Sequence, residues 1–441
     1  MAVTEALEKK HVLPTGELSM ATILRFFSPL ALSWIFMSVE GPLSVALISR
    51  LPKAEVSTAA FQIVMGLALW IESPIIDLLS TSTTLAKTRQ NYVTLSRFVW
   101  WLIGTVTLVH ILLVFTPLFW LVTEKVMGVP ANVAQEARKG LAVMVPWAGF
   151  IGWRRYLQGL LIRNGRTKLV GMGTAIRVAT MFLSAFLLFF TVRLPSIQIA
   201  GIALICAVGA ESVFAHWASR DTVRRRYSED SVGSSLTMQK LRHFHLPLTA
   251  TTMVTMLSSP LISAALSRAP HSVSQLAGYQ VAATLVWLMR TTVYALPEVV
   301  ITLYRDEASA AALRKFCIRL GLITSGTMAA IWLTGVDQIF FGKVLGADPA
   351  IVAIAHLAFI AALLTPFVGA GQSYVRGMLT AHHLTVSRLL AVGVSAATLV
   401  GSLGLTVLLG VNGVVAAALC LTTSYLAELI VLSLAWHRRP A

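Results

Sequence analysis

The feature that most constrains this chain is a pattern that occurs twice, 218 residues apart. Trp147 to Leu161 reads WAGFIGWRRYLQGLL and Phe367 to Leu379 reads FVGAGQSYVRGML, which sets Tyr156 over Tyr374, Gly159 over Gly377 and Leu161 over Leu379. Arg154 and Gln158 fall where Gln372 and Arg376 fall, so the two polar residues trade places. The same register pairs Pro29 with Pro247, Pro42-Leu43 with Pro260-Leu261, Ser49-Arg50 and Pro52 with Ser267-Arg268 and Pro270, Gln62 with Gln280, Leu67 with Leu285 and Arg220 with Arg438. Matches that include Pro, Gln, Arg and Gly are not a by-product of apolar composition. The chain is a duplication, and each half must fold into the same elements.

Those elements are membrane helices. Only 12% of the 441 residues are charged, against about 25% in soluble domains, and 56% are hydrophobic, with mean hydropathy +0.76. A span needs about 20 apolar residues. Applied with Pro/Gly punctuation and charge, that requirement gives twelve spans: 22–49, 57–83, 98–122, 140–162, 169–192, 197–219, 243–267, 274–303, 316–336, 350–380, 385–409 and 412–436. The expected fold is all-α and polytopic, with two parallel six-helix repeats around a central cleft related by an axis along the membrane normal. Expected domains are a segment 1–21, a bundle 22–219, a linker 220–242, a second bundle 243–436 and a tail 437–441. Lys and Arg gather in the even-numbered loops, for example Lys87, Arg89, Arg163, Arg166, Arg305 and Arg314, which predicts cytoplasmic termini. The excess of basic residues, +16 in formal charge, therefore reads as membrane topology rather than nucleic-acid binding. The first twenty residues lack an apolar stretch with a cleavage site, so the first span is expected to act as its own insertion signal.

Chemistry-bearing motifs are few. Cys206, Cys317 and Cys420 read as small core fillers with no disulfide or metal spacing, and His382-His383 lacks further ligands. No Walker loop, nucleophile elbow, HExxH or Rossmann glycine pattern appears, which excludes transport driven by the chain's own ATP hydrolysis and leaves no cofactor to expect. An intramembrane enzyme would need partners for His110 or His356, and the reading is that the chain is not an enzyme. A major-facilitator transporter would carry a charged loop between the second and third spans, whereas this one reads KTRQNYVTLSR.

Ionisable groups within spans cost several kcal/mol unless paired, hydrated or functional. Arg25 is placed at a membrane edge, where it snorkels, and Arg177 is placed a turn and a half into its span, where it suits either a buried partner or a lipid headgroup. Arg154 and Arg155 are about 100° apart on a helix, and the repeat favours Arg154 as the inward one. Residues four apart share a helical face, so Arg154 with Gln158 and Gln372 with Arg376 are expected to form a twin substrate-binding site. Arg290 is expected to join them, because it stands at the repeat position of Glu72 and would meet it across the cleft as an ion pair, gate or ligand contact. Glu72, Asp77, Glu40, Glu211, Glu298 and Glu428 are the expected coupling and gating carboxylates. Glu211 and Glu428 also admit a purely capped role. Pro146 and Pro366 lie about two turns before the twin site and are expected to bend its helices.

The segment RFFSPLALSWIFMSVEGPLSVALISRLP, Arg25 to Pro52, and its echo from Arg242 to Pro270 resemble the first helix of the multidrug and toxic compound extrusion (MATE) transporters, with an early Pro and a turn like Gly-Arg-Leu-Gly. AAFQIVMGLALW and YLQGLLIRNGRTK continue the likeness. The chain is thereby similar to the wider multidrug/oligosaccharidyl-lipid/polysaccharide (MOP) superfamily. WIESPIIDLLSTSTTLAK and the charged interior look closest to the progressive ankylosis proteins, exporters of anions such as pyrophosphate and citrate. The resemblance implies an alternating-access exporter of a small organic or phosphorylated anion in the plasma membrane, the inner membrane of a bacterium, coupled to H+ or Na+. Its alternatives are a cation-coupled multidrug exporter and a flippase of a lipid-linked pyrophosphate. The chain departs from the MATE pattern where a first-helix acid would stand near Ser44, the nearest carboxylate being Glu40.

Overall fold

A computed structural model describes residues 18–227, 236–382 and 385–438, without the side chains of 33, 385 and 386. Most of the expected N-terminal segment, the middle of the linker, His383 and the last three residues lie outside the described residues.

The first repeat consists of α1 (Met20–Ser38), α2 (Glu40–Ser49), α3 (Ala54–Ile76), α4 (Leu78–Leu85), α5 (Arg89–Phe115), α6 (Ala131–Val143), α7 (Trp147–Arg163), α8 (Thr167–Thr191) and α9 (Ser196–Arg226). The second follows as α10 (Met238–Met256), α11 (Ser258–Ser267), α12 (Ser272–Arg290), α13 (Leu296–Leu303), α14 (Glu307–Leu333), α15 (Pro349–Ala361), α16 (Thr365–Ala381), α17 (Thr385–Leu408) and α18 (Val414–His437). Most helix starts repeat at an offset of 218, as Met20 does with Met238 and Trp147 with Thr365. The caps repeat too. Ser19 accepts from Thr22 N–H and Thr237 from Lys240 N–H, while Thr88 accepts from Asn91 N–H and Asp306 from Ser309 N–H. Those contacts, backbone N–H first and hydroxyl second, hold the Asp306 carboxyl below the usual carboxylate range.

Among the described residues ten helices are long and apolar enough to cross a membrane, or eleven when the pair α15 and α16, bent by 41°, is counted as one span. The repeat counterpart of that pair, α6 and α7, is not among the spans that length and apolarity identify. Its Glu136, Arg138, Lys139, Arg154 and Arg155 make it more polar than its partner. The bends fall where prolines were expected to place them: Pro146 is the N-cap of α7 and Pro366 opens α16. The third and ninth spans differ from expectation, beginning at Arg89 and Glu307 rather than near 98 and 316. Their capped first turns carry charge beyond the hydrocarbon, since 27 residues reach about 40 Å against a core of about 30 Å. Helix likewise runs through Arg226 and resumes at Met238, so both ends of the expected linker are helical.

Packing within each repeat brings α7 onto α4 and α9, and α16 onto α13 and α18. Glycine permits the first of these contacts. A Cβ on Gly159 would lie 2.7 Å from the Leu79 carbonyl, and one on Gly377 would lie 2.7 Å from Val300 Cβ. Between repeats, α3 packs on α12, and the first helix of each half leans onto the other half. Phe27 of α1 meets Phe316 edge-on at 5.2 Å, and at the same offset His245 of α10 meets Phe98 edge-on at 5.2 Å.

Candidate functional site

In the first repeat the expected site residues converge on Glu211, which is fully buried on α9. Arg154 Nη1 donates to its Oε2 at 2.5 Å, and Gln158 Nε2, one turn along α7, donates to its Oε1 at 3.0 Å. One carboxylate thus satisfies both members of the i,i+4 pair. Arg177 of α8 stands 3.6 Å from the same Oε2 and clasps both oxygens of Glu40. Glu40 lies in the first turn of α2, where the helix dipole favours a negative charge. Arg177 is therefore an interior ion-pair partner, 7% exposed, and the headgroup alternative is set aside. Gly173 of α8 lies beside this carboxylate, a Cβ there falling 3.4 Å from Glu211 Cγ, an ordinary contact. Glu72 is 3% exposed and lies in the field of Arg154, Arg155 and Arg177. Three arginines thus face three glutamates inside one repeat. The Nε atoms of Arg154 and Arg155 are left without a partner among the described residues.

The second repeat uses the same parts differently. Arg376 Nε donates to Glu428 Oε1 at 2.9 Å and its Nη2 donates to the same oxygen. Gln372 turns to the Tyr425 carbonyl at 2.9 Å. Arg290, at the C-terminal end of α12, has no carboxylate partner among the described residues. Its guanidinium lies 4.8 Å from the Tyr425 ring centroid and 5.8 Å from that of Tyr294, with Nη1 reaching the Tyr425 hydroxyl at 3.4 Å. Cation–π contact offers a desolvated guanidinium partial compensation without neutralising it.

Arg290 also borders two cavities. One, of about 80 Å³, is lined by Tyr294, Gln372, Arg376, Ser395, Tyr425 and Glu428. The other, of about 170 Å³, lies between Arg290, Tyr279, Trp287 and Thr365 of the second repeat and Gln62 of the first. Gln62 Nε2 donates to Ser263 at 3.2 Å across that boundary.

The structure brings Arg154 together with Gln158 and Glu211, and Arg376 with Glu428, each pairing made within its own repeat. Glu72 and Arg290 form no ion pair: the first sits among arginines, the second among tyrosines. Asp77 caps the end of α3 and faces Thr252 of α10, with Oδ2 buried and without a hydrogen-bond partner among the described residues. Glu298 is exposed on the first turn of α13, outside both clusters. Cys206 is exposed on α9 and is not a core filler, unlike Cys317 and Cys420. His382 meets Tyr304 and the Met378 carbonyl. The tyrosine lining of Arg290 was missed, although Tyr425 lies one turn before Glu428 and so shares its face.

No protein-family model and no curated protein matches the sequence. Solved structures do match. The chain superposes with a TM-score of 0.73 on the inward-facing conformation of a multidrug resistance MATE family transporter of the MOP superfamily, at 13% identity, covering 94% of this chain and 97% of that one. A MOP superfamily transporter from Pyrococcus furiosus, described as having a binding pocket of reverse polarity that suggests a different function, matches with a TM-score of 0.66 and 12% identity over 96% and 98% of the two chains. The lipid II flippase MurJ in an inward closed conformation matches with a TM-score of 0.65 and 13% identity over 93% and 88%. The chain has the MATE-like fold of the MOP superfamily transporters.

Proposed function

We propose that this chain is a secondary transporter that moves a small organic or phosphorylated anion by alternating access of its two repeats, with Arg290 as the principal anion contact. One observation carries the reading. Arg154, Arg177 and Arg376 already hold glutamates, whereas Arg290 lines both cavities with no carboxylate paired to it among the described residues. A guanidinium in that state binds carboxylate or phosphate through two parallel N–H donors, and entry of the anion supplies the missing counter-charge. Arg376, Gln372 and the tyrosine hydroxyls are the further donors on the cavity wall, and Arg154 and Gln158 pass from ligand contacts to structural partners of Glu211. Glu72, close to three arginines and without a hydrogen bond of its own among the described residues, is the carboxylate best placed to couple H+ or Na+ movement. Cytoplasmic termini, a plasma-membrane location and export as the direction complete the proposal, supported by the basic even-numbered loops and by the fold.

The test is uptake into proteoliposomes of citrate, pyrophosphate, ATP and a lipophilic cation dye, comparing the native protein with Arg290→Gln. Anion uptake lost with dye uptake unchanged or absent supports the proposal. Anion uptake that survives the substitution refutes it. Dye movement in both proteins indicates a multidrug exporter. The likeness to the lipid II flippase favours a second reading, movement of a lipid-linked pyrophosphate on the same arginine. A fluorescent lipid pyrophosphate reconstituted in the same vesicles separates it from the first.

A further inference from the structure

The repeated turn Ser49-Arg50-Leu51-Pro52 and Ser267-Arg268-Ala269-Pro270 has no part in either polar cluster, yet its arginines make the most symmetric contact between the repeats. Arg50, just after α2, reaches into the second repeat: Nη1 donates to the Leu345 carbonyl at 3.1 Å, and Nη2 to those of Val344 at 2.7 Å and Lys343 at 3.2 Å. Arg268, just after α11, reaches into the first: Nη1 donates to the Met127 carbonyl at 2.7 Å and Nη2 to that of Val126 at 2.6 Å. Each arginine also ties back to its own helix, to Ala46 at 2.8 Å and Ala264 at 2.7 Å. The donors and the acceptors Met127 with Leu345 and Val126 with Val344 repeat at the offset of 218, and the Lys343 carbonyl is one further acceptor on the Arg50 arm.

The acceptors are the last carbonyls of two short π-helical turns, Leu121–Val126 and Phe340–Val344, and those of the residues that cap them, Met127 and Leu345. Terminal carbonyls lack helical donors and carry the negative end of the dipole, so they suit a cation. Gly128 and Gly346 follow those turns with φ of +73° and +75°, and a Cβ on them would lie 3.4 Å from Arg268 Cζ and 3.3 Å from Arg50 Cγ. Glycine is required there for its backbone conformation, and each arginine packs closely over it. The turn 50–53 joins the first two spans, and 116–130 joins the third and fourth. Both therefore lie on the membrane face opposite the termini, as do their counterparts in the second repeat.

We infer that Arg50 and Arg268 are the two arms of one gate that seals the cleft on the face opposite the termini, and that opening on that face requires both arms to release together. The symmetry gives the coupling: separating the repeats about their common axis stretches both arms equally. Because the acceptors are carbonyls and arginine does not titrate in the working range, the gate is indifferent to pH. The inference rests on alternating access of the two repeats and not on the identity of the transported species.

The experiment places one reporter cysteine, Ala283→Cys, on the wall of the larger cavity, with Cys206, Cys317 and Cys420 replaced by serine, and measures labelling by a membrane-impermeant maleimide added on each side of sidedness-controlled proteoliposomes. Labelling of the otherwise native protein is expected from the terminal side. In the Arg50→Gln, Arg268→Gln double variant, labelling from the opposite side should rise on the order of tenfold or more, since charge-assisted hydrogen bonds are the strongest class lost. It should rise equally at pH 6 and pH 8. The Arg50→Lys, Arg268→Lys variant keeps charge and stem but cannot span the carbonyls, and should give an intermediate rise even if the Gln pair does not assemble. Unchanged opposite-side labelling in folded, monodisperse protein of either variant overturns the gate. No substrate is needed, so the outcome is independent of the anion proposal.

Discussion

Arg154 Nη1 donates to Glu211 Oε2 at 2.5 Å in the interior of the first repeat, with both side chains almost wholly enclosed. Removing one partner leaves an uncompensated charge in a low-dielectric bundle, which costs about 3–5 kcal/mol for a buried pair. Glu211→Gln and Arg154→Met should therefore each lower the thermal unfolding midpoint in detergent sharply. The double variant should recover much of the loss, because apolar replacement of a whole buried pair is often close to neutral. A double variant as unstable as the sum of the singles would show that Arg177 and Gln158 set the stability of this cluster, and not the pair itself.

Gly159 and Gly104 differ in what surrounds them, and alanine scanning should separate them. A Cβ on Gly159 would lie 1.8 Å from Ser82 Oγ and 2.7 Å from the Leu79 carbonyl, whereas Gly104 has nothing within 4 Å. Gly159→Ala must push α7 off α4 and should cost about 1–3 kcal/mol or more. Gly104→Ala should be neutral or stabilise by up to about 1 kcal/mol through helix propensity. Unfolding in graded denaturing detergent measures both.

Much of the architecture could be read from residues alone. The 218-residue register, ten or eleven of the twelve expected spans, and the proline-marked starts of the two site helices all follow from apolar run length, proline placement and repetition. Side-chain partnership could not be read. Arg177 meets Glu40 across 137 positions and Arg154 meets Glu211 across 57. An arginine face on a membrane helix is satisfied as well by a carboxylate inside its own bundle as by a ligand in the cleft, and periodicity does not distinguish the two. Arg50 and Arg268 were hidden for a different reason. They sit in loops, where a charge needs no explanation, and only the fold puts carbonyls from the opposite repeat around them. Glu72 and Arg290 share a repeat position, but the duplication fixes their places and not their chemistry.

His245 is a polar departure within an otherwise apolar contact. Its Nε2 lies 2.9 Å from the Pro74 carbonyl and its Nδ1 lies 2.8 Å from Thr81 Oγ1, while the equivalent position in the first repeat is Phe27, in a cluster with Val299, the counterpart of Thr81. His245→Phe should thus leave the Thr81 hydroxyl and the Pro74 carbonyl underused and cost about 1–3 kcal/mol. Adding Thr81→Val copies the first repeat's solution and should return part of that stability. A His245→Phe, Thr81→Val protein less stable than His245→Phe alone would show that the two first-helix contacts are alike in place but not in packing.

Arg290 and Arg154 allow transport to be dissociated from stability. Arg154 is neutralised by Glu211, so its replacement should reduce the amount of folded protein and leave the apparent anion affinity of the surviving fraction nearly unchanged. Arg290 has tyrosine faces in place of a carboxylate, so Arg290→Gln removes a desolvated cation that pairs with no acid among the described residues and should leave the unfolding midpoint close to native or higher. Its effect should fall on binding: losing one charge-assisted contact to an anion, worth about 1.5–3 kcal/mol, predicts a rise in KM of roughly 10- to 150-fold. Arg290→Lys should restore only part of the affinity, because an ammonium presents no planar fork to a carboxylate or phosphate. Tyr425→Phe should change little, since the 3.4 Å hydroxyl contact is weak and the ring remains, whereas Tyr425→Ala removes the platform and should weaken binding more. KM and folded yield measured side by side on these variants decide the matter. A loss of affinity in Arg154→Met comparable to that in Arg290→Gln would return the anion site to the first repeat.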